Sequence, residues 1–394
     1  MVKGIAVKKK TIYLHIGHGK TGTTATQSAF SLAAEELEKS GFLYPVDTIK
    51  NIKNNCFEIT GGNWKHDPNK SISQQLQDHI DLHPNFDVFI ISSESLFWQI
   101  HTLLENIEEW DHQFELKIIL AVRDVEEMLS SEYQQRIKRH GEKRPYEQFL
   151  RSRKYISSHH KRAAYVLKLL ESNQIKSFVF NYSKNKLSIS EIIFKAINVI
   201  NQFPREKMQG MIINRSLSQK ELQFLLMINA LYYEKYPWIS AALSDSLAEQ
   251  LPNVQSQTCR LSPNSRKLLY ETNDLFIEEI NKFLDNHQEL KRLKDLAELT
   301  EPEKSPEYNQ RIKLEEASSI RVISEALLDA LKKGNPETVQ PHQKIIEHQF
   351  TLENPPSSPN KIEKKSWKLA NYFHPKKFGM VGLVKTYLFT RNLK

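Results

Sequence analysis

The run Gly19-Lys20-Thr21-Gly22-Thr23-Thr24 follows the apolar stretch TIYLHI at 11–16 and precedes residues with helical apolar spacing. A glycine-rich turn between a buried strand and a helix N-terminus aims several backbone N–H groups, and the positive end of the helix dipole, at one point. Lys20 adds a positive charge there, and Thr23 and Thr24 add hydroxyl donors. The chemistry indicated is the binding of a phosphate group. An ordinary strand-to-helix turn uses glycine, but turning does not require a lysine followed by Thr-Gly-Thr-Thr.

The elements that must hold this turn alternate along the first half of the chain. Residues 11–16, 87–92, 116–122 and 177–181 read as strands, and the third is almost continuously apolar, as expected of a strand covered on both faces. Between them, 22–40 carries helical spacing at Ala25, Ala29, Leu32, Ala33 and Leu37 and stops at Gly41, while 125–140 and 159–172 also read as helices. Strand and helix in alternation predict a parallel sheet with crossover helices. After residue 186 the pattern is helical only, at 188–200, 218–235 and 264–284, with Ser218 and Glu221 spaced as a capping box. From about 285 the chain is charged and helical, with a further helix at 311–333 and prolines at 336, 341, 355, 356 and 359. The expected fold class is α/β: a three-layer arrangement with a central parallel sheet flanked by helices, plus a helical C-terminal extension. The expected domains are a catalytic body at 1–285, a helical extension and linker at 286–356, and a basic, aromatic, amphipathic tail at 357–394.

Spacing decides which phosphate. A Walker A loop reads G-x-x-x-x-G-K-[ST]. Here Gly19-Lys20-Thr21 supplies its second half, but its first glycine falls on Leu14. The order Lys-Thr-Gly-Thr-Thr after a strand, within HIGHGKTGTTATQ, instead resembles the 5′-phosphosulfate loop of sulfotransferases that use 3′-phosphoadenosine 5′-phosphosulfate (PAPS), in particular bacterial, carbohydrate-type members. Such enzymes carry a 3′-phosphate site about a hundred residues on, and LKIILAVRDVEEMLSSEYQQ resembles it, with Arg123 at the end of a strand and Ser131 eight residues later. An arginine at the carboxyl edge of a parallel sheet borders the ligand crevice, and a guanidinium and a hydroxyl can hold one phosphate from two sides. Val125 stands where the family usually has Pro, and Tyr182-Ser183-Lys184 lacks the acids of the family's Tyr-Glu-Asp. Asn214-Arg215-Ser216 resembles a segment that bacterial members place before a C-terminal helix.

The resemblance implies a P-loop-like fold and a sulfuryl transfer from PAPS to a hydroxyl or amine, with a glycan or glycolipid as acceptor and no metal. Gly19, Lys20, Thr21, Gly22, Thr23, Thr24, Arg123, Ser131, Asn214 and Ser216 would hold the donor. Lys20 would stabilise charge on the bridging oxygen as it leaves. Glu94, after the strand DVFIISS, would take the acceptor's proton, with His18 inside the loop as its competitor. His15 reads as a hydrogen-bonded core histidine and His140 as a helix-terminal one. Where bacterial relatives often have Asn-His before the second strand, this chain has Asn54-Asn55-Cys56. Two other classes stay open: a P-loop kinase or NTPase, and a non-catalytic binding protein built on the same scaffold.

Composition sets limits. The net charge of +8 coincides with the tail, where Ser357–Lys394 holds nine Lys or Arg against one acid, Glu363, so the body is neutral and gives no reason to expect nucleic-acid binding. Two cysteines make no disulfide framework, and the mean hydropathy of −0.53 is polar for an enzyme. The N-terminus lacks the apolar core of a signal peptide, so the expected location is cytoplasmic, with contact to the inner face of the membrane through the tail. Lysines interleaved with Trp367, Tyr372, Phe373, Phe378 and Phe389 suit an anionic lipid surface, and they suit packing on the body equally. Flotation with anionic liposomes separates the two: membrane contact requires that full-length protein float and a 1–356 variant remain behind.

Overall fold

The computed structural model describes residues 9–17, 19–46, 62–209, 216–234, 236–251, 254, 258–298 and Val322. The tail at 357–394 and, apart from Val322, the helix expected at 311–333 lie outside them. In chain order the described elements are β1 (Lys10–Ile16), α1 (Thr23–Leu32), α2 (Ala34–Lys39), β2 (Phe42–Leu43), α3 (Ile72–Leu82), β3 (Val88–Ser93), α4 (Glu94–Glu105), β4 (Phe114–Val122), α5 (Val125–His140), α6 (Tyr146–Ser152), α7 (Ser158–Ser172), β5 (Lys176–Asn181), α8 (Ile189–Ala196), α9 (Arg205–Met208), α10 (Gln219–Tyr232), α11 (Ile239–Gln250) and α12 (Pro263–Asn281).

The five strands form one all-parallel sheet in the order β2-β3-β1-β4-β5, flanked by helices. The expected α/β class and the four expected strands are therefore present. β2 was not expected, because two residues at a sheet edge leave no periodic signal. The expected helix at 22–40 is divided at Ala33, and the charged stretch from 285 becomes helical only at Leu293–Glu298, as a 3-10 turn.

β1 and β4 lie centrally, which explains their apolar runs: Ile12, Leu14, Ile16, Ile118, Leu120 and Val122 are buried, and so are the alternate residues Tyr13, Ile119 and Ala121. Tyr13, Ile119 and Ala121 belong to a cluster with Phe30 of α1 and Ile193 and Phe194 of α8. Phe30 stacks on Tyr44 at 5.3 Å and on Phe194 at 4.8 Å between ring centroids. β1 also packs against α4, α4 against α7, and α7 against α12. The Phe30 contacts and the packing of α1 on α8 fix the helix whose first residue follows the phosphate-type turn.

The chain divides into two compact units. The first holds the sheet, residues 1–131, 150–213 and 260–300. The second, 132–149 with 214–259 and residues beyond 300, contains α10 and α11. Within it Asn229 donates to the carbonyls of Ile137 and Glu142, both at 2.9 Å, and Arg139 grips Asp245 with two nitrogens. Ser218 and Glu221 form the expected capping box at the start of α10. Phe30→Ala empties the centre of the α1–α8 cluster and should cost about 3–5 kcal/mol of unfolding free energy; urea denaturation would detect the loss as a lower midpoint.

Candidate active site

The parallel register brings the chemistry to one edge. Ile16 pairs with Ser93, so the turn after β1 and the first residue of α4 lie side by side. β4 continues three residues beyond the pairing of His15 with Ile119, which carries Arg123 level with that turn. In an open parallel sheet the carboxyl ends of neighbouring strands are where ligands bind.

The turn itself is tightly determined. Lys20 has φ 72° and Gly22 φ 77°, both in the left-handed region. For a lysine that is a strained conformation. A Cβ on Gly22 would come within 2.8 Å of the Tyr182 ring, and one on Gly17 within 2.5 Å of the Thr23 methyl group. Gly22 is the N-cap of α1, and no side chain caps the helix there; its first turn holds no acid either. The N–H groups of that first turn are therefore donors of the kind an anion uses. Thr21 and Thr23 are buried in the turn and Thr24 is half-buried. His18 lies outside the described residues.

Arg123 reaches across from β4. Its Nη1 donates to the Lys20 carbonyl at 3.0 Å, its Nε donates to Glu127 Oε2 at 3.1 Å, and its guanidinium lies 5.3 Å from the centre of the Tyr182 ring. Glu127 is held by three partners, since Ser183 Oγ donates to it at 3.1 Å and Lys186 Nζ at 2.9 Å. Burial pushes the Glu127 carboxyl up, but the Lys186 hydrogen bond and the Arg123 charge outweigh it and hold the group below the usual carboxylate range. Ser131 sits four residues after Glu127 on α5, hence on the same helix face, and is half-buried.

Glu94 accepts a hydrogen bond from the Thr23 hydroxyl, which turns its carboxylate toward the Gly19–Thr23 turn. It is exposed and opens α4, whose N-cap is Ser93. The neighbouring Asp124 serves a different end. Burial raises its carboxyl, and Oδ1 accepts from the Lys291 N–H at 3.1 Å. Of the remaining expected residues, Ser216 belongs to the second unit and is half-buried, and Asn214 lies outside the described residues. His15 is a core histidine as expected, with Nδ1 2.8 Å from Ser92 Oγ, and His140 ends α5.

The sequence reading missed two histidines at the start of α7. His160 is buried and its Nε2 lies 2.9 Å from the Arg123 carbonyl. His159 stacks on Phe97 at 6.2 Å and meets the half-exposed Trp98 edge-on at 5.1 Å. Their signal was the pair itself, Ser157-Ser158-His159-His160 at a helix start, which a search limited to strand edges passes over. No protein-family model matches the chain, and no curated protein or solved structure does either.

Burial holds three histidines of this region neutral. It lowers His15 to about 4, His159 to about 4 with help from the charges of Arg153 and Lys20, and His160 to about 3. In the unfolded chain each would titrate near about 6.5. Below that pH the unfolded state binds protons that the folded state does not, so stability should fall as pH drops from about 6.5 toward about 4, by up to about 1.4 kcal/mol per pH unit for each histidine. Chemical denaturation at about pH 7.5 and about pH 5 tests this; equal unfolding free energies would contradict it.

Proposed function

We propose that the protein is a P-loop-like sulfotransferase that moves a sulfuryl group from PAPS to a hydroxyl or amine of a glycan or glycolipid, acting in the cytoplasm or at the inner face of the membrane. The observation that carries the reading is the hydrogen bond from Arg123 to the Lys20 carbonyl. It joins the two sequence elements that resemble a 5′-phosphosulfate loop and a 3′-phosphate site, and it does so at the carboxyl edge of a parallel sheet. A donor with phosphates at both ends of an adenosine would use both elements together.

In this reading the backbone of Gly19–Gly22 and the hydroxyls of Thr23 and Thr24 hold the 5′-phosphate, Thr23 exchanging its hydrogen bond to Glu94 for one to the phosphate as the donor binds. Arg123 and Ser131 hold the 3′-phosphate. Glu94 takes the proton from the acceptor, whose oxygen or nitrogen bonds to sulfur as the sulfur–oxygen bond to the 5′-phosphate breaks. Lys20 neutralises the charge that collects on the departing oxygen, and 3′-phosphoadenosine 5′-phosphate (PAP) leaves. The acceptor's proton, the electron pair on the leaving oxygen and the transferred group are then all accounted for, and the scheme does not call on a metal ion.

A kinase or NTPase reading would assign Asp124 to a magnesium ion. Its carboxylate is instead engaged by Lys291, through the N–H and through Nζ at 3.8 Å. Calorimetric titration with PAP in magnesium-free buffer tests the proposal. Binding should be micromolar and at least about tenfold weaker in Arg123→Ala and Lys20→Ala, a loss of about 1.4 kcal/mol or more. Binding of ATP with magnesium in place of PAP would favour the kinase, and binding of neither a scaffold protein.

A further inference from the structure

Arg123 is held from its backbone as well as from its side chain. The carbonyl of Arg123 can only accept, so His160 donates through Nε2–H, and its Nδ1 is then the acceptor for the Ser157 hydroxyl at 2.8 Å. Ser157 is positioned in turn by Asn273 of α12. Asn273 Oδ1 accepts from the Ser157 N–H at 2.9 Å, and its Nδ2 donates to the Tyr155 carbonyl at 2.8 Å and the Leu269 carbonyl at 2.7 Å. Ser157, His160 and Asn273 are each 0% exposed. Every polar atom along this line has a partner of the right kind, and a satisfied buried network of that sort specifies one geometry.

Ser157 also caps α7, its Oγ accepting from the His160 N–H, but an N-cap does not call for a buried histidine joined to the Arg123 carbonyl. The line ends on the peptide that follows the Arg123 Cα, one of the two that set where its side chain begins. From that origin the guanidinium must reach Lys20, Glu127 and Tyr182 together.

We propose that His160 is a positioning residue for anion binding, fixing Arg123 through its carbonyl, with Ser157 and Asn273 fixing His160 in the required tautomer. The inference rests on the donor-binding reading above and assigns the specificity for a 3′-phosphate to a relay that begins in α12. His160 does not touch the ligand. Its effect is largest in the part of the affinity that Arg123 supplies.

That separation makes the test. The full-length protein is titrated with PAP and with adenosine 5′-phosphate, which lacks the 3′-phosphate, and the ratio of the two affinities is the readout. His160→Leu removes the donor to Arg123 and should weaken PAP by about tenfold and adenosine 5′-phosphate by clearly less, since Arg123 reaches the 5′-phosphate turn only through the Lys20 carbonyl. His160→Gln keeps an N–H donor and an amide acceptor and should restore PAP binding to within about threefold of the parent. Should His160→Leu fail to fold, Ser157→Ala, which removes the donor to His160 Nδ1 together with the N-cap of α7, carries the same expectation in the ratio of the two affinities, a readout that loss of a cap does not move. Equal weakening of both nucleotides, or unchanged PAP binding, would overturn the relay while the donor reading stood. A parent protein that binds PAP no more tightly than adenosine 5′-phosphate would overturn both, an outcome that no His160 variant can mimic.

Discussion

The hydrogen bond between the Arg123 guanidinium and the Lys20 carbonyl ties the end of β4 to the turn after β1. Lys20 occupies a left-handed conformation that a lysine adopts only when its surroundings impose it. The arginine supplies part of that constraint from one side, and Tyr182 and Thr23 crowd the flanking glycines from the other. The strain is thus sustained by the sheet. β1 and β4 are adjacent and in a register that leaves Arg123 at the height of the turn, so a shift of that register would separate the two groups.

Charge around this link is divided among carboxylates with separate tasks. Glu127 faces Arg123 and Lys186 and keeps the guanidinium oriented. Glu94 faces the turn through Thr23. Asp124, next to Arg123 in sequence, points away and secures the segment around Lys291, where Asn181 also donates to the carbonyls of Gln288 and Glu289. The three acids at this edge therefore have different partners. One balances the arginine, one belongs to the turn, and one is spent on packing. No helix among the described residues is long and apolar enough to cross a membrane.

Most of the fold was legible because its signals are local. The apolar runs of β1, β3, β4 and β5 and the helical spacing of α5, α7 and α12 are written into consecutive residues, and alternation of the two leaves few arrangements besides a parallel sheet. β2 escaped notice because an edge strand of two residues has no period. α4 did too, since ESLFWQIH begins on a carboxylate read for its chemistry. Ser131 could be placed on the Glu127 face of α5 by counting along the helix, since helical spacing is a local property. His159 and His160 could not be placed beside Arg123, because 37 residues of chain separate His160 from the carbonyl it meets.

Residue types and short spacings by themselves determined a strand, a glycine-rich turn and a helix around Lys20, a second strand ending in Arg123, and hence two groups suited to anions. Whether those groups meet was decided only by the tertiary structure. The order β3-β1-β4 makes β1 and β4 neighbours, and the side chains of Tyr182, Glu127 and Ser183 then set the direction of the guanidinium. The reason is physical: backbone conformation follows from neighbours along the chain, whereas the aim of a charged side chain is set by partners that the sheet brings together from distant positions.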